Sequence, residues 1–274
     1  MAIIAISRGT FSSGEALAKC LAERLGYRCI SREVILDEAA KGYGVPAEEL
    51  TAAMGKPPSF WERVAGARSG HLIFVQAALC AQAREGNLVY HGLVGHLLLP
   101  GISHVIGVRV IADMEFRLKA AMQQQNLARE DAMAHIEKVD KERRHWIRFL
   151  FDVEWDDPYL YDVVLNLSRT SPATACDMVA RMTEQEEFKP TAASVKALED
   201  LALSSRVSAA LARDARTRGA DLSVTANGGI VTITGTTRTP AVLEVVPLVV
   251  RQVEGVKEVR SELITVTPVP YAGI

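Results

Sequence analysis

Two glycines near the amino terminus have the spacing of a loop that holds phosphate. The loop runs from Gly9 to Gly14 and follows a β-branched run that ends in Ser-Arg-Gly. Glycines at this interval let successive backbone N–H groups turn inward around phosphate oxygens, and the following helix adds partial positive charge. The pair Ser12 and Ser13 could instead be a simple helix cap. The position between a strand and a helix favours the phosphate loop.

The two residues after this loop differ from those that usually bind a nucleoside triphosphate. Lysine normally follows, to reach the β and γ phosphates, and then serine or threonine, whose hydroxyl binds Mg²⁺. Here the two positions hold Glu15 and Ala16. A carboxylate close to a polyphosphate is repulsive. The sequence therefore predicts weak ATP binding unless the Glu15 side chain turns outward.

Arg8 and Arg32 each stand at the end of a predicted strand, on the expected ligand edge of the sheet. Ligands of open α/β sheets bind outside the carboxyl ends of the strands. Both arginines are therefore candidates for phosphate binding. Simple exposure to solvent is an equally good interpretation of either one.

The charged helical stretch at 113–151 carries further arginines. Cations placed around the transferred group catalyse phosphoryl transfer, so Arg117, Arg143 and Arg144 on a mobile lid could act on closure. Asp140 precedes the last two at helical spacing, and an exposed ladder of ion pairs is the alternative. Because exposed arginines contribute little to folding, replacing Arg117 or Arg143 should weaken nucleotide binding or turnover without much loss of stability.

Short apolar runs alternate with helical patterns through the first part of the chain. Strands are predicted at 2–6, 27–30, 88–90, 105–111 and 163–167. Helices are predicted at 14–25, 32–41 and 71–84, with two more at 113–151 that break near Asn126. Continuous apolar strands separated by helices favour a parallel sheet covered on both faces.

A second folding pattern follows the acidic, proline-containing segment 183–194, which we interpret as a linker. The predicted elements are helix 195–218, strands 221–225 and 230–234, helix 240–252 and strand 259–266. Asn227-Gly228-Gly229 between the two strands is typical of a hairpin turn.

Composition limits the classes of function. The chain has 274 residues, 49% of them hydrophobic, and a net charge of −2, so nucleic acid is not an expected partner. No apolar run is long enough for a membrane span and no export signal is evident, which predicts a cytoplasmic protein. Cysteines at 20, 29, 80 and 176 show no C-x-x-C spacing, so we expect buried reduced thiols and no metal site.

Residues 4–35 resemble the opening of the cytidylate kinase-like family, and Ile136–Phe149, Trp155–Pro158 and Tyr161–Asn166 resemble its lid and fifth strand. The resemblance covers 1–182. It implies the P-loop fold of nucleoside-monophosphate kinases, which is a five-stranded parallel sheet with a helical lid at about 113–151. It also implies ATP at the loop and a nucleoside monophosphate between the second and third strands. The family carries a basic residue at the position of Glu15, and commonly Gly-Arg where this chain has Gly92-Leu93.

Residues 195–267 resemble a BON domain, through Asn227–Gly235 and Val253–Val259. The resemblance implies a small α+β unit, at 195–274, that binds a small ligand or a protein partner. A stabilising or dimerising appendage, and hence a homo-oligomer, is an equal alternative.

Together these features predict a nucleotide-binding protein with a degenerate loop and weak or absent phosphoryl transfer, coupled to a ligand- or partner-binding module. The alternative is an active ATP-dependent kinase of a nucleoside monophosphate or a similar phosphorylated acceptor, with ATP and Mg²⁺. The predicted catalytic residues are Arg117, Arg143 and Asp140. The predicted phosphate-binding residues are Arg8, Gly9, Ser12, Ser13, Gly14 and Glu15, and the predicted acceptor-binding residues are Arg32 and Gly92.

Overall fold

The computed structural model of the chain describes residues 2–55, 70–92 and 94–266. Leu93, which replaces the family's arginine, lies outside the described residues. The chain divides into two compact units, Met1–Val195 and Lys196–Ile274. No helix within the described residues is both long and apolar enough to cross a membrane.

The first unit is built on a five-stranded parallel sheet, as the sequence predicts, in the order β2-β3-β1-β4-β5. Its strands are β1 (Ile3–Arg8), β2 (Arg28–Ser31), β3 (Leu88–Gly92), β4 (Val105–Ile111) and β5 (Val163–Asn166). The central strand β1 pairs with β3 and β4, and its residues Ile3–Ile6 are completely buried. Because all five strands run in the same direction, their carboxyl ends meet at one edge of the sheet.

Helices cover both faces of this sheet. They are α1 (Gly14–Leu25), α2 (Arg32–Tyr43), α3 (Ala47–Gly55), α4 (Gly70–Arg84), α5 (Gly95–Leu98), α6 (Met114–Gln125), α7 (Arg129–Phe151) and α8 (Pro172–Met182). On one face, Leu17 and Leu21 of α1 share a buried apolar cluster with Ile4 and Ile6 of β1 and Val179 of α8. This cluster fixes α1, and with it the loop that precedes α1, above the centre of the sheet.

The predicted lid consists of α6 and α7, which meet near Asn126 as expected. Asn126 has a left-handed backbone with φ of 53°, which ends α6. Asp113 begins α6 by accepting a 2.8 Å hydrogen bond from the Phe116 N–H. Buried Leu118 of α6 packs with Ile136 of α7, so the two helices form one hairpin.

The cysteine prediction is wrong for one pair. Cys20 of α1 and Cys176 of α8 form a disulfide, whereas Cys80 is buried and Cys29 is a free, exposed thiol. The two bonded residues are 156 positions apart in the sequence. They meet because α1 and α8 pack side by side on the sheet, which irregular spacing in the sequence does not reveal.

The second unit, as far as residue 266, contains a small mixed sheet and two helices. Its elements are α9 (Ala192–Arg213), β6 (Asp221–Asn227), β7 (Ile230–Thr237), α10 (Ala241–Arg251) and β8 (Glu258–Thr265). The order in the sheet is β6-β7-β8, with β6 antiparallel and β8 parallel to β7. Gly228 and Gly229 form the predicted hairpin turn with φ of 61° and 96°. The predicted linker 183–194 holds a 3₁₀ turn at Glu186–Phe188, and α9 begins within it.

Candidate phosphate site at the carboxyl edge of the sheet

The loop from Gly9 to Gly14 joins the end of β1 to the start of α1. Phe11 and Ser13 both have left-handed backbones, with φ of 58° and 62°. The Ser12 hydroxyl donates a 2.9 Å hydrogen bond to the Gly9 carbonyl and closes the loop on itself. The Leu17 N–H bonds to the Ser13 carbonyl at 3.2 Å, so regular helix begins immediately after the loop. The first N–H groups of α1 therefore have no partner in their own helix and can bind an anion.

Because Gly14 has no side chain, the Arg8 side chain can pack closely against the start of α1. A Cβ atom added at Gly14 would lie 2.7 Å from the Cβ atom of Arg8, which is too close for any other residue. The Arg8 Nε atom is buried and has no hydrogen-bond partner among the residues that the structure describes. A buried donor of this kind can bind an acceptor from a ligand.

Three arginines from separate elements line one small cleft beside this loop, which we call the arginine cleft. Its lining residues are Arg8, Arg32, Glu33, Gly92 and Arg143. Arg143 reaches it from α7 and donates a 3.4 Å hydrogen bond to the Arg8 carbonyl. A Cβ atom at Gly92 would lie 2.7 Å from the Cβ atom of Arg32, so the glycine makes room for that arginine.

The arginine cleft carries surplus positive charge. Burial, followed by repulsion from Arg32 and Arg8, lowers the pKa of Arg143 to about 10, while the Asp140 carboxylate acts in the opposite direction. Glu33 is the carboxylate in the lining and is paired with Arg32 at 3.0 Å. Cations held close together with few counter-charges are stabilised by a bound anion. The cleft is therefore suited to phosphate.

Glu15 turns away from the loop. Its carboxylate forms an ion pair with Lys19 of the next helical turn, with 2.9 Å between the charged atoms, and its side chain is 54% exposed. The hydrogen bond from Lys19 lowers the pKa of Glu15, so the carboxylate stays ionised. The outward orientation moves negative charge away from the loop backbone, although it supplies none of the positive charge that a lysine would bring.

The Arg117 prediction needs correction, because this arginine is not an exposed lid residue. Its Nε atom donates a 2.8 Å hydrogen bond to the Thr10 carbonyl, and its Nη2 atom lies 2.6 Å from the Asp140 carboxylate. The side chains of Arg117 and Asp140 are only 11% and 10% exposed. Arg117 thus joins α6, α7 and the loop through a neutralised pair.

The exposed ladder from Asp140 to Arg143 and Arg144 does not form. Asp140 pairs with Arg117, and Arg144 instead approaches the Asp156 carboxylate at 3.5 Å. Of the residues predicted from the sequence, the structure therefore brings Arg8, Arg32, Gly92 and Arg143 together in one cleft. Arg117 and Asp140 lie beside the loop as a separate pair.

Sequence reasoning missed a buried network under the end of β1. The Trp155 indole N–H donates a 2.9 Å hydrogen bond to the Ser7 hydroxyl, and the Arg109 guanidinium lies 3.8 Å from the ring centroid. Arg109 also pairs with Asp156 at 2.9 Å. These contacts support the strand that carries Arg8. A charged residue inside the apolar run of β4 was the signal for this network.

The loop residues do not fit Mg²⁺. Ala16 occupies the position at which a hydroxyl would bind the ion, and its side chain has no donor oxygen. Within the described residues, no group of three or more His, Cys, Asp or Glu side chains could hold a metal ion.

Comparison with known proteins follows the two units. Residues 3–169 match the model of the cytidylate kinase-like family, and residues 199–268 match the model of the BON domain.

Individual relatives match the first part of the chain. A protein described as cytidylate kinase, from Ignicoccus hospitalis, is 26% identical over 184 residues, which cover 66% of this chain and 99% of the relative. A second relative, from Staphylothermus marinus, is also described as cytidylate kinase. It is 24% identical over 189 residues, which cover 68% of this chain and 98% of the relative. The crystal structure of an uncharacterized protein from Eubacterium ventriosum shares the fold, with a TM-score of 0.54 and 23% identity over 68% of this chain and 100% of that chain. From the match over residues 3–169, this chain belongs to the cytidylate kinase-like family.

Proposed function

We propose that the first unit binds a nucleotide at the carboxyl edge of its sheet and transfers phosphoryl groups weakly or not at all. The observation that carries this proposal is the arginine cleft, where Arg8, Arg32 and Arg143 converge next to a glycine-bounded loop. The relatives described as cytidylate kinases make CMP and ATP the ligands to test first.

The loop and the arginine cleft divide the binding of phosphate between them. In this proposal the backbone from Gly9 to Gly14, with Ser12 and Ser13, surrounds one phosphate group at the start of α1. Arg32 and Gly92 hold the phosphate of the second ligand, and Arg8 and Arg143 lie between the two positions. Charge-assisted hydrogen bonds from arginine match phosphate oxygens in both geometry and charge.

Weak transfer follows from what the loop lacks. Phosphoryl transfer depends on cations placed around the reacting oxygens. Glu15 replaces the lysine, Ala16 provides no ligand for Mg²⁺, and Arg117 is already bonded to Asp140. Binding can survive these losses because the loop backbone and the arginine cleft remain.

The second candidate is an active kinase of a nucleoside monophosphate or a similar small phosphorylated acceptor. The outward ion pair of Glu15 with Lys19 favours it, because no carboxylate then blocks the donor phosphates. In that case Arg143 supplies the positive charge that a lysine after the loop would bring, and ATP is the donor.

The second unit completes the proposal as a separate module. Its match to the BON domain supports binding of a small ligand or a protein partner by residues 195–274. In this arrangement the first unit binds the nucleotide and the second responds to another molecule.

Calorimetric titration of the full chain with ATP and with CMP, each with and without Mg²⁺, tests the proposal. We expect saturable binding of at least one nucleotide and little ADP formation when ATP and CMP are mixed. Rapid turnover would select the kinase alternative. No binding of any nucleotide, by a chain that is folded by circular dichroism, would refute both.

A further inference from the structure

His91 is a buried histidine next in sequence to Gly92, which lines the arginine cleft. It is the penultimate residue of β3, immediately before Gly92, and is 5% exposed. Its Nδ1 atom is buried and has no hydrogen-bond partner among the described residues. A buried ring nitrogen without a partner is uncommon in proteins and calls for an explanation.

The strand register places His91 close to the carboxyl ends of β1 and β2. His91 lies opposite Ile6 of β1 and Ser31 of β2. Arg8 follows Ile6 by two residues and Arg32 follows Ser31 by one, so both arginines extend just beyond the histidine.

Strand alternation puts His91 and Arg8 on the same face of the sheet. Residues two apart in a strand share a face. Ile6 and Val89 both belong to the apolar cluster that packs against α1, so Arg8 and His91 also face α1. The histidine therefore lies under the start of the helix that carries Glu15 in place of the usual lysine.

Four charged side chains act on this histidine, from the strand and helices packed around it. Burial is the largest cause that lowers the pKa of His91, and Arg8 of β1 and Lys19 of α1 lower it further. Glu15 of α1 and Glu33 of α2 act in the opposite direction. The free protein therefore keeps His91 neutral near pH 7, and an added anion in the cleft would favour its protonated form.

We infer that His91 takes up a proton from solvent when an anion binds in the arginine cleft, and so supplies positive charge that Glu15 does not. The inference rests on the proposed function, because the anion is the phosphate of the nucleotide. In this proposal His91 does not touch the anion: the charge of its imidazolium stabilises the anion from nearby while the arginines make the direct contacts.

The direction of proton exchange on binding shows whether the protons come from His91 or from the phosphate of the ligand. A phosphate monoester has a second pKa of about 6 and loses a proton when cations bind it, whereas His91 gains one. Sulfate stays a dianion throughout the neutral range, so any proton taken up on sulfate binding comes to the protein.

The test measures protons bound per CMP by calorimetry of the full chain in two buffers of different ionisation enthalpy. We compare the natural protein with His91→Gln and with the matched control His145→Gln, an exposed histidine of α7. The natural protein and the control should take up as much as one proton more per CMP than His91→Gln. Above neutral pH, the affinity of the natural protein and the control for CMP should also fall with each unit rise in pH. This fall should be steeper than that of His91→Gln, by a factor of as much as about ten per pH unit.

A second measurement does not need the variant. The imidazole Cε1–H resonance of His91 reports its pKa in the natural protein, which should rise when sulfate is added. Equal proton counts in all three proteins, or a pKa of His91 that sulfate leaves unchanged, would overturn the inference while nucleotide binding stands. Failure of CMP, ATP and sulfate to bind at any pH would instead overturn the proposed function.

Discussion

The two units differ in where they place backbone strain. Among the described residues, the non-glycine residues with positive φ all belong to the first unit: Phe11, Ser13, Asn87, Val94, Asn126 and Asp152. In the described part of the second unit, positive φ occurs only at glycines: Gly219, Gly228, Gly229, Gly235 and Gly255. Glycine adopts this conformation without steric cost, whereas other residues need support from their surroundings. Two of the strained residues lie in the phosphate loop itself.

The two units also differ in how their charged side chains are arranged. The second unit pairs Lys196 with Asp200, and Arg260 with Glu258, through groups close in sequence. The first unit concentrates arginines in one cleft around a single carboxylate. Strain together with surplus charge favours a ligand site in the first unit. Replacing residues within and outside the arginine cleft tests this distinction.

The largest expected effect is on stability, at the neutralised pair beside the cleft. Arg117→Ala leaves the Asp140 carboxylate buried without its partner, and loss of one member of a buried pair typically costs about 3–5 kcal/mol. Urea denaturation of the full chain measures the change. The matched control is Arg144→Ala, whose ion pair with Asp156 is about half exposed and should contribute less than about 1 kcal/mol. Equal costs for the two variants would show that the Arg117 pair is not structural.

The next effect is on ligand affinity, inside the cleft. Arg143→Ala should weaken nucleotide binding by about 10- to 100-fold, since a charge-assisted hydrogen bond contributes about 1.5–3 kcal/mol. Stability should hold or rise, because the variant removes a cation that Arg8 and Arg32 crowd. Calorimetry and thermal denaturation give the two values. Arg148→Ala, on the same helix with an exposed partner in Glu154, is the control and should change neither. Unchanged affinity in Arg143→Ala would contradict the site.

Charge reversal at the loop should have a smaller effect. Glu15→Lys should raise ATP affinity by about tenfold, equivalent to about 1.4 kcal/mol, because the outward carboxylate already spares the loop most of its repulsion. Ala16→Thr, added to it, restores a hydroxyl for Mg²⁺. Glu23→Lys, exposed on the same helix, makes the same change in net charge as a control. If the double variant is folded and binds ATP no better than the natural protein, the loop from Gly9 to Gly14 is not a functional phosphate site.

The smallest effect concerns the boundary of the second unit. The Thr191 hydroxyl accepts a 3.1 Å hydrogen bond from the Ser194 N–H, and the Ser194 hydroxyl accepts one of 2.9 Å from the Thr191 N–H. Fragments 190–274 and 195–274 should both fold alone, with the first more stable by about 1 kcal/mol because it keeps this cap. Circular dichroism during heating measures the difference, and Thr191→Ala in the longer fragment should abolish it. Disordered amide resonances in both fragments would show that the second unit does not fold independently.

Local patterns in the sequence predicted most of the fold. Apolar runs and glycine punctuation located all five parallel strands and the loop, and parallel strands necessarily bring residues such as Arg8 and Arg32 to the same edge. The helix break at Asn126 was also predictable, since asparagine tolerates the left-handed backbone.

Contacts between distant side chains were not predictable in the same way. Asp140 has two arginines at helical spacing, yet it pairs with Arg117 because the turn at Asn126 folds α7 back on α6. The Glu15 side chain points outward because it pairs with Lys19, four residues later in the helix. This spacing allows such an ion pair but does not guarantee that it forms. Arg109 interrupts the apolar run of β4, and its contact with the Trp155 ring is not predictable from that run.

The bond between Cys20 and Cys176 turns most of the first unit into a covalent ring. It links positions 156 residues apart, so the ring includes the lid hairpin and four of the five strands. A protease cut in any loop between the two cysteines opens the ring without dividing the molecule, and the pieces separate only after a reductant acts. Nicked protein would therefore migrate as one band on a denaturing gel without reductant and as two bands with it.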